Sequence, residues 1–507
     1  LSLIAVDEAH CIAEWGHNFR PDYLKLAATC KALKVPRILA LTATATPKVE
    51  ADVRKQFRIA KADVVKLSFH RKNLDLRVSP CGAEERKSIL LERLRSSEGA
   101  AIVYVTRQET AEEVATFLAK NGMSARAYHA GLRSELRREI QEQFMGGEVG
   151  IVVATIAFGM GVDKADIRTV IHYNLPKSLE GYTQEIGRAG RDGGAAGCEM
   201  LACADDLTVL ENFIFSDTPG GRALRNLLQR VFRLGEEFDV SFYDLAATSD
   251  IRQTVVEIIF AYLETDGMLE VRGTFWDTFR IKLLHPRIRV LAGRKPKERK
   301  LLESLLENLD ADWKWLTVKI GETADRLGVT RETLRAIVSE MEAGGDAVVK
   351  KSGWRHAFRV KRKPEDMEAL IAGMVTGFRE REASDLKRLD QVMALATGKG
   401  CMTRVLLKHF GETLEEPCWH CDRCREIPPV KLKRKKPRKT SDAELASIRQ
   451  LVEENHAALG TPRQLARFLC GMSSPASMRA RLYRHDSYGM LSALPFGEVM
   501  ALADSFF

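Results

Sequence analysis

The sequence predicts an α/β chain built on parallel sheets, extended by helical and winged-helix-like regions and by a metal-binding segment. Three observations carry this expectation. From Leu1 to about Cys203, short runs rich in Val, Ile and Ala alternate with amphipathic helical stretches, as a parallel sheet flanked by helices requires. Beyond Asp217 the texture changes to helices and short β-like runs. Four of the ten cysteines fall between Cys401 and Cys424. A chain of 507 residues exceeds what one hydrophobic core holds and divides, at ordinary domain size, into about three or four units.

Composition narrows the class. With 45% hydrophobic and 29% charged residues, no apolar run approaches the roughly 20 residues that cross a bilayer, which excludes a membrane-spanning helix. The chain opens at Leu1 directly in the apolar run LSLIAV, without the basic flank or cleavage site of a signal peptide, and reads as part of a longer polypeptide. The net charge is +9, yet KLKRKKPRK at Lys431 to Lys439 holds seven basic residues and no acid, leaving +2 for the rest. Such a run is either a handle for phosphate backbones or a solvated, extended linker. Six scattered cysteines and four clustered ones point to a metal site in a reducing compartment, not a disulfide scaffold.

The candidate strands are 3–6, 38–41, 101–105, 151–154, 170–173 and 199–203. The Arg/Asn/Asp-rich stretch HRKNLDLRVSP, near Phe69 to Pro80, reads as a break between two α/β lobes. From Gly321 to Gly344 the pattern is a helix, a turn at Gly328 and a second helix with Leu334, Ile337, Val338 and Met341 on one face, the grammar of a helix-turn-helix. DAVVKKSGWRHAFRVKR follows as two β-like runs around Ser352 and Gly353, with Trp354 beside a wing tip. A fainter copy has a helix near Gln253 to Leu263 and then LEVRGTFWDTFRIKLL, with Phe275 and Trp276 at its turn. Wing aromatics usually pack on their own domain; strand splitting or base stacking is the alternative. The expected boundaries are 1–70, 71–215, 216–296, 297–363, 364–427, a basic linker at 428–440 and a helical module at 441–507. In that module Arg463, Arg467, Arg479, Arg481 and Arg484 read as an ordinary solvated face.

Several clusters carry chemistry. Asp7 and Glu8 follow the buried run LIAV, where the C-terminal ends of parallel strands face ligands. One carboxylate there can hold magnesium while its neighbour orients an attacking water for phosphoryl transfer. Arg188 and Arg191 in QEIGRAGRDG stand three apart, which on a helix places both on one face and supplies cations for phosphate charge. Gly159 and Gly161 in FGMGVDKAD permit close backbone approach to a ligand. Between Cys11 and Tyr23, Trp15, His17, Phe19 and Arg20 combine stacking surfaces with a phosphate contact, or else form a buried aromatic cluster. Cys401, Cys418, Cys421 and Cys424 have the spacing of a tetrahedral zinc site, with an iron-sulfur cluster as the alternative.

The blocks DEAH at Asp7, CIAEWGHNFRPDY at Cys11, LTATATP at Leu41, YHAGL at Tyr128, VVATIAFGMGVDKADIRTVIHYNLPKS at Val152 and YTQEIGRAGRDG at Tyr182 resemble, in this order, the motifs of a superfamily-two helicase of the RecQ family. The resemblance implies two RecA-like lobes, the first partial and the second complete. It implies that Asp7, Glu8, His10, Gln184, Arg188 and Arg191 serve ATP hydrolysis with Mg2+, with Arg191 as the arginine finger. Gly161 would let the backbone approach the nucleotide, Asp163 would link the nucleotide side to the DNA side, and Thr42 and Thr44 would couple the acidic motif to interlobe movement, with His10 as their hydrogen-bond partner. Trp15, His17, Phe19 and Arg20 would sense single-stranded DNA. RLDQVMALATGKGCMTRVLLKHFGETLEEPCWHCDRC resembles the RecQ zinc-binding subdomain, which implies Zn2+ on the four cysteines and leaves His409 and His420 unneeded.

Two features depart from the family pattern. No G-x4-G-K-[ST] phosphate loop occurs, and ATGKG at Ala396 lacks both its first glycine and the hydroxyl residue after Lys399, so the chain as it stands should neither bind ATP well nor unwind DNA. About 210 residues separate GRAGRDG from Cys401, and the winged-helix candidates precede the cysteines instead of following them. The expectation is an ATP-dependent 3′ to 5′ DNA helicase of repair or recombination, acting on single-stranded and partly duplex DNA, cytoplasmic in a prokaryote and nuclear in a eukaryote. An RNA helicase and a noncatalytic zinc-containing DNA-binding protein are the alternatives.

Overall fold

The computed structural model describes residues 1–12, 20–159, 161–292, 294–307, 310–312, 315–429, 431–432 and 438–507. They form two compact units, Leu1–Gly220 with Ala372–Phe507, and Gly221–Ile371.

In the first unit, β1 (Ile4–Val6) and β2 (Ile38–Ala40) pair in parallel. A second sheet contains β3 (Leu74–Pro80), β4 (Ala100–Tyr104), β5 (Ala125–Tyr128), β6 (Ile151–Ala154), β7 (Ile167–His172) and β8 (Ala196–Ala202). All its pairings are parallel, in the order β3-β8-β7-β4-β6-β5. Helices cover both faces, so central strands such as IVVA of β6 are buried at every position. β3 and β5 are additions to the expected strands. β3 lies in the segment read as a break, although Leu74, Leu76 and Val78 are buried and alternate with Asp75, Arg77 and Ser79. That alternation is a strand signal, and charged residues in it mark an edge.

The edge of β3 is closed by the cysteine-bearing segment. The Leu76 N–H donates to the His420 carbonyl at 3.1 Å, the Val78 N–H to Asp422 Oδ2 at 2.8 Å, and the His420 Nδ1–H to the Leu74 carbonyl at 2.5 Å. Arg425 pairs with Asp75 at 2.8 Å.

The final module packs helices Asp442–Glu453, Pro462–Leu469 and Phe496–Asp504 around Leu465, Phe468, Leu491 and Val499. Two of its arginines depart from the expected solvated face. Arg467 is buried and donates to the carbonyls of Phe215, Ser216 and Thr218, while Arg463 donates to the Phe215 carbonyl and pairs with Glu382. These carbonyls close the helix Asp205–Ser216, whose C-terminal end attracts cations. Arg479, Arg481 and Arg484 are exposed as expected.

The second unit contains β9 (Glu237–Val240), β10 (Leu269–Leu283), β11 (Asp310–Asp312), β12 (Trp315–Lys319) and β13 (Ala347–Val360) in one antiparallel sheet, ordered β11-β12-β10-β13-β9. The helix-turn-helix stands where it was expected. Helix Ile320–Leu327 ends on Gly328 at φ +63°, and helix Arg331–Ala343, capped by Thr330, buries Leu334, Ile337, Val338 and Met341. The two expected wing turns are absent. β10 runs straight through Phe275 and Trp276, β13 runs through Ser352 and Gly353, and the two strands pair with each other, Trp276 opposite Trp354. A two-residue hairpin turn needs left-handed or glycine-led central residues, which Phe275-Trp276 does not offer, and of the Ser352-Gly353 pair only Gly353 has a positive φ.

Arg467→Ala removes a charged donor from three helix-end carbonyls. It is expected to lower unfolding free energy by about 3 kcal/mol in urea titration, with Arg479→Ala changing it by less than about 0.5 kcal/mol.

Candidate nucleotide cleft and metal centre

β1 ends at Val6 in a turn formed by Asp7 and Glu8, tied back to β2 by the Leu41 N–H donating to the Val6 carbonyl and the Ala9 N–H to the Leu41 carbonyl, both at 2.8 Å. Glu8 has φ +49°, a left-handed conformation rare for a side-chain-bearing residue and frequent where a site constrains its backbone. The turn aims Glu8 into a cavity of about 490 Å3, also lined by Gly159, Gly161, Asp163, Gln184, Arg188 and Arg191. The acidic turn and the arginine-bearing segment therefore share one cleft. Asp7 is exposed at its margin, accepting the Glu8 N–H at 2.8 Å.

Burial pushes the Glu8 carboxyl above its ordinary range and Asp7 adds to this, while Arg20 and Arg188 draw it back. His10 is buried behind it. Desolvation, then Arg20, lower its imidazole to about 4, against Glu180 and Asp7, so the ring is neutral at physiological pH. Its Nδ1 lies 3.0 Å from Thr42 Oγ1 and 3.2 Å from Glu8 Oε2. The expected link from the acidic motif to LTATAT is thus a direct contact. Thr42 Oγ1 also accepts the Thr44 N–H at 3.2 Å, and Ala43 between them stands on the cleft wall. Thr46, not Thr42 or Thr44, caps the following helix Pro47–Phe57.

Arg188 and Arg191 do not lie on a helix. The helix Leu179–Ile186 stops before them, and both sit in the turns that follow, where they still line the cleft. Arg188 is buried and donates to the Gly159 carbonyl at 2.5 Å. A Cβ on Gly159 would collide with that guanidinium, so this glycine makes room for an arginine and not for a ligand. Gly161, at φ +80°, has open space where a Cβ would project, which suits close approach from the cleft. Arg191 is more exposed and pairs with Asp163 at 2.6 Å.

Residues in the interlobe segment that sequence reasoning passed over hold this loop. Arg71 donates to the carbonyls of Gly187, Ala189 and Gly190, and Asn73 Nδ2 to those of Gly190 and Gly194. No local pattern announces such contacts, which join positions more than a hundred residues apart. Phe69 stacks on Phe410 at 4.4 Å, and Glu412 accepts from the Phe69 N–H at 2.8 Å and the Ser68 hydroxyl at 2.7 Å. Trp15, His17 and Phe19 lie outside the described residues. Arg20 is exposed just before helix Pro21–Ala32.

The sulfurs of Cys401, Cys418, Cys421 and Cys424 lie within 4.8 Å of one another, with Cys418 and Cys424 3.7 Å apart. Four thiolates around zinc at about 2.3 Å stand about 3.8 Å apart, so the cluster fits that ion. Cys401 caps helix Met402–His409, its Sγ accepting the Arg404 N–H at 3.4 Å. The nearby histidines are engaged elsewhere. His420 donates from Nδ1 to Leu74, which leaves its Nε2 to accept from His70 at 3.3 Å, and His409 lies 3.0 Å from Glu180.

Two family models match this chain. The helicase conserved C-terminal domain matches residues 85–193, spanning the sheet from before β4 to the arginine loop, and the RecQ zinc-binding domain matches residues 364–425. The chain is 28% identical over 541 residues to ATP-dependent DNA helicase Q-like 5 of Arabidopsis thaliana, covering 100% of this chain and 56% of that protein. It is 37% identical over 267 residues to ATP-dependent DNA helicase RecQ of Bacillus subtilis, covering 52% and 43%. It is 42% identical over 238 residues to RecQ-like DNA helicase blm-1 of Caenorhabditis elegans, covering 46% and 24%. The chain therefore spans between about a quarter and a little over half the length of these relatives. The helicase C-terminal match, the zinc-domain match and these relatives all fall in one group, so the chain is similar to the RecQ family of superfamily-two helicases both in its parallel sheet and in its cysteine-bearing segment.

Proposed function

We propose that this chain forms part of an ATP-dependent DNA helicase that moves 3′ to 5′ along DNA and acts in repair or recombination. The observation that carries the reading is the single cleft joining Glu8 to Arg188 and Arg191. Asp7, exposed at the cleft margin, would hold Mg2+, which supplies charge neutralisation to nucleotide phosphates. Glu8, made more basic by burial and by Asp7, orients a water and takes up its proton. Arg191 acts as the arginine finger. Its ion pair joins it to the highly exposed Asp163, so it exchanges that carboxylate for phosphate at little desolvation cost. Arg188, fixed on Gly159, sets the cleft potential with Gln184 beside it. His10 passes the state of Glu8 to Thr42 through their shared contact. The segment with Trp15, His17, Phe19 and Arg20 would meet single-stranded DNA, and the zinc centre keeps the motor sheet closed at β3.

ATP hydrolysis measured with and without single-stranded DNA, on this chain and on the full-length gene product, tests the reading. Glu8→Gln and Arg191→Ala are expected to lower turnover by about 100-fold or more, removing a general base and a phosphate cation respectively. Turnover near wild type in both would remove the cleft as the hydrolytic site, and no turnover in the wild-type protein would favour a noncatalytic DNA-binding role.

Zinc is expected at one ion per chain in elemental analysis. Cys421→Ser should abolish it and raise amide exchange at Leu76 and Val78, whose partners sit beside that cysteine.

The buried His10 generates a pH dependence of defined sign. Because its folded value lies near 4, below the ordinary 6.5, the unfolded chain binds the extra proton, and stability falls as pH drops from about 6.5 toward 4. The loss amounts to about 3 kcal/mol and should shrink in His10→Asn, read from urea unfolding at several pH values.

A further inference from the structure

The sheet of the second unit carries an aromatic and cationic surface that neither the cleft nor the metal centre uses. Side chains of β10 alternate between its two faces. Phe279 and Ile281 turn inward to the helix-turn-helix core, and Phe275 meets Arg335 of that core at 4.5 Å. Trp276, Thr278, Arg280 and Lys282 therefore point to the opposite face. Their register partners on β13, Trp354, Ser352, Lys350 and Val348, share it. One end of this face is covered, since His356 stacks on Phe242 at 4.0 Å and Phe358 packs on Phe260. The other end is open. Trp276 and Trp354 meet edge to face at 4.6 Å while remaining 38% and 41% exposed. Arg280, Lys282 and Lys350 are exposed beside them. β12 extends the surface with Trp315, whose ring lies under Arg280 at 5.6 Å and Lys350 at 4.8 Å.

A tryptophan pair steadies a ladder without help from neighbouring cations. Here Arg280 and Lys350 lie over the Trp315 ring, Lys282 is exposed on the same face, and among the described side chains of this open face none is a carboxylate. A partner must then offer flat apolar rings and regularly spaced negative charge together. Duplex nucleic acid shows its charge and hides the faces of its bases, a membrane surface has no rings to stack, and an acidic peptide lacks the ring spacing. We propose that this face binds single-stranded nucleic acid, with bases stacking on Trp276 and Trp354 and phosphates held by Arg280, Lys282 and Lys350. The site stands independently of the hydrolytic cleft.

The test is ultraviolet crosslinking of the whole protein to a short thymine oligonucleotide containing 5-bromouracil, with attachment sites mapped by mass spectrometry. Crosslinks are expected on the peptides holding Trp276 and Trp354, competed by unlabelled oligo-dT or oligo-U and not by a duplex of equal length. Whichever single strand competes better identifies DNA or RNA as the source. Arg280→Glu with Lys350→Glu leaves the indoles in place and should cut the yield on those peptides at least about tenfold, while crosslinks elsewhere in the chain persist. Arg280→Gln with Lys350→Gln should give a smaller loss in the same direction, and circular dichroism should match wild type in both. Crosslinks confined to other segments, equal competition by duplex, or an unchanged yield on charge reversal would overturn the proposal.

Discussion

The closed edge of β3 is the constraint on which the first unit depends. An outermost strand presents a row of unpaired N–H and C=O groups, and here His420 and Asp422 satisfy that row from a segment some 340 residues away. The same short stretch of chain begins with Phe69 stacked on Phe410 and continues with Arg71 and Asn73 gripping the arginine loop. Metal cluster, sheet edge and cleft are therefore mechanically one assembly. Folding of the cysteine segment completes the sheet, and the completed sheet sets where Arg188 and Arg191 stand.

Within the cleft, burial and charge oppose each other productively. A carboxyl removed from water and placed next to Asp7 becomes a better proton acceptor, while Arg20 and then Arg188 oppose that shift. His10, neutral for the same desolvation reason, holds its Nδ1 3.0 Å from Thr42 Oγ1 and 3.2 Å from Glu8 Oε2 without adding a charge that would quench Glu8. Arg191 differs from Arg188 in what holds it. One is clamped on a backbone carbonyl in the interior, the other tied to an exposed acid.

Much of this is legible in the sequence. The strands of β4, β6, β7 and β8 are continuous apolar runs because helices bury them on both sides, and the helix-turn-helix shows its 3.6-residue stripe and its turn glycine. The four cysteines found one another as their spacing suggested. The charges of β3 are those of a linker segment, while its alternating apolar residues are those of an edge strand. Arg463 and Arg467 looked like solvated arginines because nothing near them in sequence reveals that a helix end waits there.

The amino-acid sequence alone determined the periodicities, the order of the sequence blocks and the spacing of the four clustered cysteines, since these depend on neighbours within a few residues or on spacing along the chain. Long-range pairing settled the rest. β10 and β13 each carried an apparent turn, and they became one continuous ladder because pairing with each other satisfies more backbone groups and seats Trp276 against Trp354. The grip of Arg71 on the arginine loop belongs to the same class. Such contacts are chosen by the balance of hydrogen bonds and burial over the whole chain, a quantity that no local window contains.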